Sequence, residues 1–318
     1  MTGLVIRGSR NVFTIRPEDA PAEEKGLECR LKGKILKGME GYYNPLAPGD
    51  RVAVEAGSPG MGQILDVLER RSLLVRFNQK GQKPQILAAN PDRVLCVTSP
   101  LSPPFRPRFL DRILIQAEVS GVIPLILCNK YDLVRRDGPD PDTEERLEDY
   151  RRIGYDVLRI SAETGEGLGE LRARMAGKTS VLLGQSGVGK SSLINSLCPE
   201  LNMRTGILNE KYDRGNHTTS LSELLEFSAG SPWEGPEGRI RVIDTPGIRR
   251  MVPWGVRGDT LILYMKEFAA LAGKCTYGLS CSHRTEPGCK ILEAVAAGVI
   301  HEDRYESFLR IRDDLEAL

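Results

Sequence analysis

Residues 184–191 form a glycine-rich octapeptide that could bind phosphate groups. The stretch reads G-Q-S-G-V-G-K-S and fits the pattern G-x-x-x-x-G-K-[ST]. Its glycines allow close approach of the backbone, and its N–H groups can surround a polyphosphate together with the positive end of the following helix. Lys190 would contact the β- and γ-phosphates, and the Ser191 hydroxyl would bind Mg²⁺. The predicted nucleotide contacts are Gly184, Gln185, Ser186, Gly187, Val188, Gly189, Lys190, Ser191 and Ser192.

Two elements must position this loop. Residues 179–183 are β-branched or leucine for the most part, which predicts a buried strand, and apolar residues recur at helical spacing within 192–197. Strand, glycine loop and helix in this order are the context that a phosphate-binding loop requires. A glycine-rich turn without a ligand is the alternative, and the flanking elements argue against it.

A second pair of motifs could recognise a guanine base. Asn129-Lys130-Tyr131-Asp132 and Ser161-Ala162 each follow a short apolar run. The Asp132 carboxylate matches the N1–H and N2–H₂ donors of guanine, a pair that adenine lacks. Asn129 can bond the acceptor edge of the base, the Lys130 stem can lie on its face, and the Ala162 N–H would donate to guanine O6.

A third region is expected to contact the metal ion and the γ-phosphate. Asp244-Thr245-Pro246-Gly247 would place the Asp244 carboxylate beside Mg²⁺ and the Gly247 N–H on the γ-phosphate. Between this motif and the phosphate loop lies R-G-N-H-T-T at 214–219, in which Thr218 or Thr219 could contact Mg²⁺ and the γ-phosphate. The sequence leaves open which threonine does so, and an ordinary surface loop is the alternative.

These motifs occur in a rotated order. In most GTPases the phosphate loop comes first, then the switch segments, then the motifs that recognise the base. Here N-K-x-D and S-A come first, and the phosphate loop, the switch and D-T-P-G follow. The sequence therefore predicts a circularly permuted P-loop GTPase domain, a rearrangement that a fold tolerates when its termini are close and exposed.

The predicted fold is α/β with three domains. Five or so short strands broken by turns predict an OB-type β-barrel at 1–72. Alternating strands and helices predict a mainly parallel, doubly wound sheet for the GTPase domain at 73–254. Within this region the basic segment 70–84 is predicted to be a connector, and 85–99 a buried strand. Residues 255–318 are predicted to form a zinc-binding domain with C-terminal helices.

Three cysteines and a histidine near the carboxyl end have metal-ligand spacing. Cys275, Cys281, His283 and Cys289 follow the pattern C-x5-C-x-H-x5-C. Three thiolates and one imidazole suit tetrahedral Zn²⁺, and four protein ligands make such a site structural rather than catalytic. Disulfide pairing is an alternative that a cytoplasmic chain would disfavour, and an iron–sulfur cluster is a second one that fits this spacing less well.

Composition sets few limits on function. The chain has 318 residues, of which 40% are hydrophobic and 27% charged, and its formal net charge is +1. No run approaches the ~18 apolar residues of a membrane span, so we expect a cytoplasmic protein that does not bind membranes. In the predicted barrel, Arg30, Lys32, Lys34 and Lys37 would form a basic stripe, which is either an RNA contact or a strand edge protected by lysines.

Hydrolysis without a partner is expected to be slow. Ile248 follows D-T-P-G at the position where many GTPases have a glutamine that orients water. An apolar side chain cannot do this, so the unassisted rate should be near the ~10⁻⁴ s⁻¹ of an unstimulated small GTPase. A partner should therefore accelerate the reaction.

The chain resembles the family of ribosome small-subunit-dependent GTPase A (RsgA) from about residue 3 to residue 312. The resemblance rests on the rotated motif order, the leading barrel, the cysteine-rich end, and C-R-L-K-G at 29–33, A-A-N-P-D-R-V at 88–94, G-Q-S-G-V-G-K-S-S at 184–192, N-H-T-T at 216–219 and E-P-G-C at 286–289. It implies hydrolysis of GTP to GDP and phosphate during late maturation of the 30S ribosomal subunit, with the barrel and zinc domain contacting 16S rRNA. It also implies that His217 supplies the polar group that Ile248 lacks, once the ribosome positions it. We expect a monomer.

Two positions depart from the family pattern. Asn216 stands where arginine usually precedes the switch histidine, so a phosphate contact by that arginine is not predicted for this chain. The first cysteine spacing is C-x5-C instead of the common C-x4-C, which a small loop insertion would absorb. Two other functions stay open: a permuted GTPase that acts on the large ribosomal subunit, and an RNA-binding module with weak nucleotide turnover.

Overall fold

Five short strands at the amino end close into a barrel. The computed structural model describes residues 1–9, 11–18, 20, 24, 26–33, 40–57, 61–201, 203, 222–230, 238–245, 248 and 250–317. The barrel strands are β1 (Thr2–Ser9), β2 (Val12–Pro17), β3 (Leu27–Leu31), β4 (Arg51–Ala56) and β5 (Met61–Val67). They pair in the order β1-β2-β3-β5-β4, and β4 pairs back onto β1. Side chains that alternate inward, such as Phe13, Ile15 and Ile64, fill the interior, which confirms the predicted barrel.

A hairpin follows the barrel, and here the sequence prediction was wrong. The segment predicted to be a connector forms β6 (Leu73–Asn78), which pairs antiparallel with β7 (Lys83–Ala89). Leu74 and Val75 are buried, so the basic residues around them obscured a strand with an apolar face. The predicted strand 85–99 is also two strands, because the chain turns at Asn90, whose φ is +54°.

A parallel sheet forms the centre of the molecule. Its strands β8 (Arg93–Thr98), β9 (Ile123–Cys128), β10 (Asp156–Arg159), β11 (Thr179–Gly184) and β13 (Arg239–Asp244) run parallel in the order β10-β9-β8-β11-β13, and β12 (Glu223–Ser228) is antiparallel at the β13 edge. Buried residues on the two faces of the sheet form two separate apolar clusters. This confirms the predicted doubly wound α/β architecture.

Helices cover both faces of the sheet. They are α1 (Pro107–Val119), α2 (Asp132–Asp137), α3 (Pro141–Arg152), α4 (Leu168–Met175) and α5 (Lys190–Leu197). Apolar residues of α1 and α3 belong to one cluster, and those of α4 and α5 to the other. Pro107 and Pro141 each begin a helix, where the missing N–H has no intrahelical partner to lose.

The barrel and the central sheet are hydrogen-bonded to each other. Strand β1 pairs antiparallel with β12 at Arg7 and Glu223, so eleven strands of the described chain form one continuous sheet. In the turn that precedes β4, Asp50 is buried against Arg70, at 2.6 Å. Removing one partner of a buried ion pair of this kind strongly destabilises the fold, because the other charge is left buried and unpaired.

The carboxyl-terminal region packs against α1. It contains α6 (Lys266–Ala269), α7 (Lys290–Ala296) and α8 (Glu302–Glu316), which enclose an apolar core with Phe268 and Phe308. Arg304 of α8 is buried, and its guanidinium contacts Asp111 of α1 at 2.5 Å and Glu267 of α6 at 2.7 Å. The division into domains at 72 and 254 stays a prediction.

The helices of the described residues include none with both the length and the hydropathy needed to cross a bilayer.

Candidate nucleotide-binding site and metal cluster

The phosphate-loop residues connect the end of β11 to the start of α5. Lys190 is buried, and its Nζ donates to the carbonyl oxygens of Gly184 and Gln185, each at 2.9 Å. These two bonds fold the lysine side chain back under the loop. Gly189 immediately precedes α5 with φ +92°, a conformation that L-residues rarely adopt.

Asn129 joins three loops that are far apart in sequence. Its side chain is fully buried; Nδ2 donates to the Val188 carbonyl at 2.9 Å, and Oδ1 accepts from the Ala162 N–H at 3.0 Å. A Cβ on Gly189 would lie 2.4 Å from Asn129 Nδ2, so only glycine leaves room for this contact. The predicted base-recognition motifs and the phosphate loop therefore meet in space.

The Asp132 carboxylate is oriented by its neighbours. The Ser161 hydroxyl donates to Asp132 Oδ1 at 2.6 Å and accepts from the Thr164 N–H at 3.1 Å. Asp132 begins α2 and lines a cavity of about 440 Å³ together with Arg135, Thr164, Gly165 and Glu166. The carboxylate is thus fixed at the rim of a space open to a ligand.

Lys130 is held in a strained backbone conformation. Its φ is +62°, and its Nζ donates to the Ser102 carbonyl at 2.8 Å. A non-glycine residue in this region costs about 1–3 kcal/mol, and such residues concentrate at ligand sites. Ser102 was not among the predicted site residues. Its only signal in the sequence is its position in a proline-rich loop that follows strand β8.

Asp244 lies at the end of β13 near Lys190. Burial raises the pKa of Asp244 to about 6, although the Lys190 charge acts in the opposite direction. Burial also lowers the pKa of Lys190. Asp244 Oδ1 is buried without a hydrogen-bond partner in the described part of the chain, which is unfavourable unless a ligand satisfies it. This oxygen fits the binding of a divalent cation near the phosphate loop.

Several predicted residues lie outside the described ones. They are His217, Thr218, Thr219 and Gly247, together with Lys34 and Lys37 of the predicted basic stripe. Ile248 is described and buried. The predicted contacts of Tyr131, Ser186, Gly187, Ser191 and Ser192 with nucleotide stay predictions.

The three cysteines and His283 converge at the carboxyl end. Cys275, Cys281, His283 and Cys289 are all buried, and their ligand atoms lie within 4.8 Å of one another. His283 Nδ1 is 3.6 Å from the sulfur of Cys275 and 3.4 Å from that of Cys289, and the two sulfurs are 3.9 Å apart. The cluster could hold a metal ion.

Neighbouring groups fix these ligands. The Lys290 N–H at the start of α7 donates to the Cys275 sulfur at 3.3 Å, and the Tyr305 hydroxyl of α8 donates to the His283 carbonyl at 2.8 Å. Glu286 accepts from the N–H groups of Ser282 and Arg284 on either side of the histidine. Such surrounding hydrogen bonds orient metal ligands.

Comparison with known proteins decides the family. The family model described as RsgA GTPase matches residues 67–254, more than half of the chain. The chain belongs to the RsgA GTPase family. It is therefore a GTP hydrolase.

Individual relatives of this RsgA-family GTPase match over almost its full length. The small ribosomal subunit biogenesis GTPase RsgA of Azotobacter vinelandii is 38% identical over 310 residues, covering 97% of this chain and 84% of that protein. The protein of the same name from Chlorobaculum parvum is 37% identical over 325 residues, covering 99% and 98%.

Solved structures show the same arrangement. The crystal structure of YjeQ from Thermotoga maritima matches with a TM-score of 0.71 at 30% identity and covers 100% of this chain and 99% of that one. The crystal structure of YloQ, described as a circularly permuted GTPase, matches with a TM-score of 0.67 at 26% identity, covering 99% and 95%. The permuted order predicted from the sequence is thereby confirmed.

Proposed function

We propose that this RsgA-family protein hydrolyses GTP to GDP and phosphate under stimulation by the 30S ribosomal subunit, in late maturation of that subunit. The observation that carries the nucleotide part is the position of Asn129. This buried amide bonds to Val188 of the phosphate loop and to Ala162 of the second base motif. One ligand can therefore contact all three loops. The relatives named as small-subunit biogenesis GTPases support the ribosomal part.

Base selection is proposed to rest on Asp132. Its carboxylate would accept from guanine N1–H and N2–H₂, and Ser161 holds it in place by the 2.6 Å bond to Oδ1. The Lys130 stem would lie against the base, and the Ala162 N–H would turn toward O6. In the structure that N–H donates to Asn129, so the two acceptors would share it or the amide would shift on binding.

Phosphate binding is proposed to rest on the loop N–H groups and Lys190. On binding, the ammonium would exchange the carbonyls of Gly184 and Gln185 for phosphate oxygens. Mg²⁺ would neutralise charge on the β- and γ-phosphates. Ser191, Asp244 and either Thr218 or Thr219 would hold it, and Gly247 would donate to the γ-phosphate.

Orientation of the attacking water is proposed to need His217. Ile248 is buried and its side chain has no polar atom, so the group that orients the water must come from elsewhere. His217 lies in the segment between the phosphate loop and β12 and would act once the ribosome positions it. This explains why stimulation by a partner is expected.

The cysteine and histidine cluster is proposed to hold one structural Zn²⁺. Ligands at the usual Zn–S and Zn–N lengths around a tetrahedral ion would be about 3.5–3.8 Å apart. The separations among the ligand atoms of Cys275, His283 and Cys289, which are 3.6, 3.9 and 3.4 Å, are close to these values, and all four ligand atoms lie within 4.8 Å of one another. With four protein ligands, zinc would stabilise the carboxyl-terminal region and would not take part in hydrolysis.

The test is a hydrolysis assay with purified ribosomal subunits. We expect slow release of phosphate from the protein alone, strong stimulation by 30S subunits and none by 50S subunits. Stimulation by 50S subunits alone would favour the large-subunit alternative. RNA binding without stimulated turnover would favour an RNA-binding module.

We further propose that the protein acts as a cytoplasmic monomer, with its barrel and zinc region contacting 16S rRNA.

A further inference from the structure

A cavity of about 280 Å³ lies between the barrel and the central sheet. The barrel lines it with Arg16 of β2 and Arg51 of β4, and the sheet lines it with Arg239 and Arg241 of β13. Thr179, the first residue of β11, lies there as well. The phosphate loop follows the carboxyl end of the same strand. This junction cavity therefore lies at the amino ends of the parallel strands, opposite the nucleotide site.

Hydrogen bonds from the Asn90 side chain to two backbone groups hold one side of the junction cavity in place. The Asn90 side chain is mostly buried; Oδ1 accepts from the Arg71 N–H at 2.8 Å, and Nδ2 donates to the Gly49 carbonyl at 2.9 Å. Gly49 has φ +91°, and a Cβ there would lie 2.1 Å from the Ala89 carbonyl oxygen. The loop that carries Arg71 is therefore held in place beside the barrel.

Among the described residues, positive charge exceeds negative charge around the junction cavity. Three arginines share the buried Glu226 carboxylate: Arg16 at 2.8 Å, Arg241 at 2.7 Å and Arg239 at 3.2 Å. The other pairs are Arg51 with Glu18 and Arg71 with Asp92, the latter separated by 3.7 Å. Glu69 is the remaining acidic side chain in the described part of the lining.

The three arginines favour the ionised form of Glu226. Burial acts to raise the pKa of Glu226, but the hydrogen bond from Arg241 and the charges of Arg241, Arg16 and Arg239 lower it below the usual value. The side chains of Arg239 and Arg241 are still 45% and 40% exposed. Each guanidinium has five N–H donors, so donors remain available to a ligand after the contacts with Glu226.

We propose that the junction cavity binds a phosphate group, contacted by Arg71, Arg239 and Arg241. Guanidinium groups suit phosphate because they donate paired N–H bonds to its oxygens. The phosphate belongs either to an RNA backbone or to a small soluble phosphate compound. Because barrel and sheet both line the cavity, the bound anion also stabilises their junction.

The test is thermal unfolding of the full-length protein in inorganic phosphate. The nucleotide site is first saturated with Mg²⁺ and the β,γ-imido analogue of GTP, so that the phosphate loop is filled. Phosphate should raise Tm more than sodium chloride of equal ionic strength does. Arg71→Gln and Arg239→Gln should each raise the apparent Kd for phosphate by at least about tenfold, which corresponds to about 1.4 kcal/mol.

Arg257→Gln is the matched control. Arg257 is an exposed arginine paired with a neighbouring carboxylate, Asp259, and lies away from the cavity lining. Its variant should respond to phosphate as the original protein does. In the test variant Arg239→Gln, Glu226 stays paired, because Arg16 and Arg241 still contact its carboxylate.

A second arm identifies the source of the phosphate. Binding of a fluorescent single-stranded oligoribonucleotide is measured by anisotropy with the same variants. Parallel weakening of RNA and phosphate binding assigns the cavity to an RNA backbone, and weakening of phosphate binding alone assigns it to a soluble phosphate. Equal phosphate responses in all variants, or no effect of phosphate beyond that of chloride, would overturn the proposal.

Discussion

Asn129 connects loops that are distant in sequence, and this explains much of the site. Its amide bonds to residues 59 and 33 positions away. Each contact is to a backbone group, so the arrangement tolerates many side chains in the partner loops. It does not tolerate a Cβ on Gly189, because Asn129 Nδ2 occupies that space.

Gly189→Ala should therefore uncouple the base motifs from the phosphate loop. The alanine would be strained at φ +92° and would also displace Asn129, so we expect GTP affinity to fall by at least about tenfold. Gly154→Ala is the control, since Gly154 has φ +93° and an added Cβ there would meet no atom within 4 Å. That variant should lose stability through the same strain and keep its GTP affinity, as measured by calorimetry. Equal affinities of both variants would contradict the role given to Asn129.

The raised pKa of Asp244 predicts a pH dependence of magnesium binding. The folded-state pKa of about 6 lies above the usual 3.8, so the proton is held more tightly when the chain is folded, and the stability that this gives is lost as the pH rises through about 6. Mg²⁺ needs the carboxylate and competes with this proton. Below pH 6, the Mg²⁺ affinity of the GDP complex should fall by about tenfold for each pH unit, in addition to any fall that Asp244→Asn also shows. Identical slopes of Mg²⁺ affinity against pH in the two proteins would contradict the assignment of Asp244 as a magnesium ligand.

His217→Ala should separate binding from stimulated hydrolysis. The imidazole is proposed to act on the attacking water and not on the ground-state nucleotide. GTP affinity should therefore stay unchanged while stimulation by 30S subunits is lost, a fall of about 10²–10⁴-fold in the stimulated rate. Single-turnover assays of this variant and of His301→Ala would show the difference. Stimulation that persists in His217→Ala would exclude the role.

At the scale of elements, the sequence predicted best where chemistry restricts local residues. The phosphate loop, N-K-x-D and the cysteine spacing each require particular residue types at fixed positions, so they were visible without a structure. Strand β6 was not, because its strand signal is two buried residues, Leu74 and Val75, in a basic segment. Neither was the Arg304–Asp111 contact, whose partners lie 193 positions apart and have no local pattern.

The stability of the carboxyl-terminal element should depend on the zinc ion proposed for its cluster. Altering a group that only surrounds a metal ligand commonly costs 10–100-fold in affinity, so loss of the ligand in Cys281→Ser should cost at least about 100-fold. Metal analysis should then give well under one zinc per chain, with a lower Tm and retained GTP binding. Cys198→Ser changes a buried cysteine outside the cluster and should keep one zinc. A full zinc content in Cys281→Ser would contradict the ligand assignment.

At the scale of the whole molecule, the barrel and the carboxyl-terminal region contact different elements of the GTPase domain. Strand β12, which follows the proposed switch segment, pairs on one side with β13 and on the other with β1 of the barrel. The carboxyl-terminal region is fixed to α1 by the buried Arg304. Both additions therefore contact the GTPase domain directly.

The proposed function depends on one pocket formed by loops that the permutation has reordered, and the base specificity of hydrolysis tests this pocket most directly. In Asp132→Asn, the side-chain amide would offer an N–H donor to the extra carbonyl of xanthine and lose one of the two acceptors that guanine requires. The 30S-stimulated activity should therefore move from GTP to XTP, while Asp137→Asn, a change elsewhere on α2, should keep the preference for GTP. An Asp132→Asn protein that still prefers GTP would contradict the account.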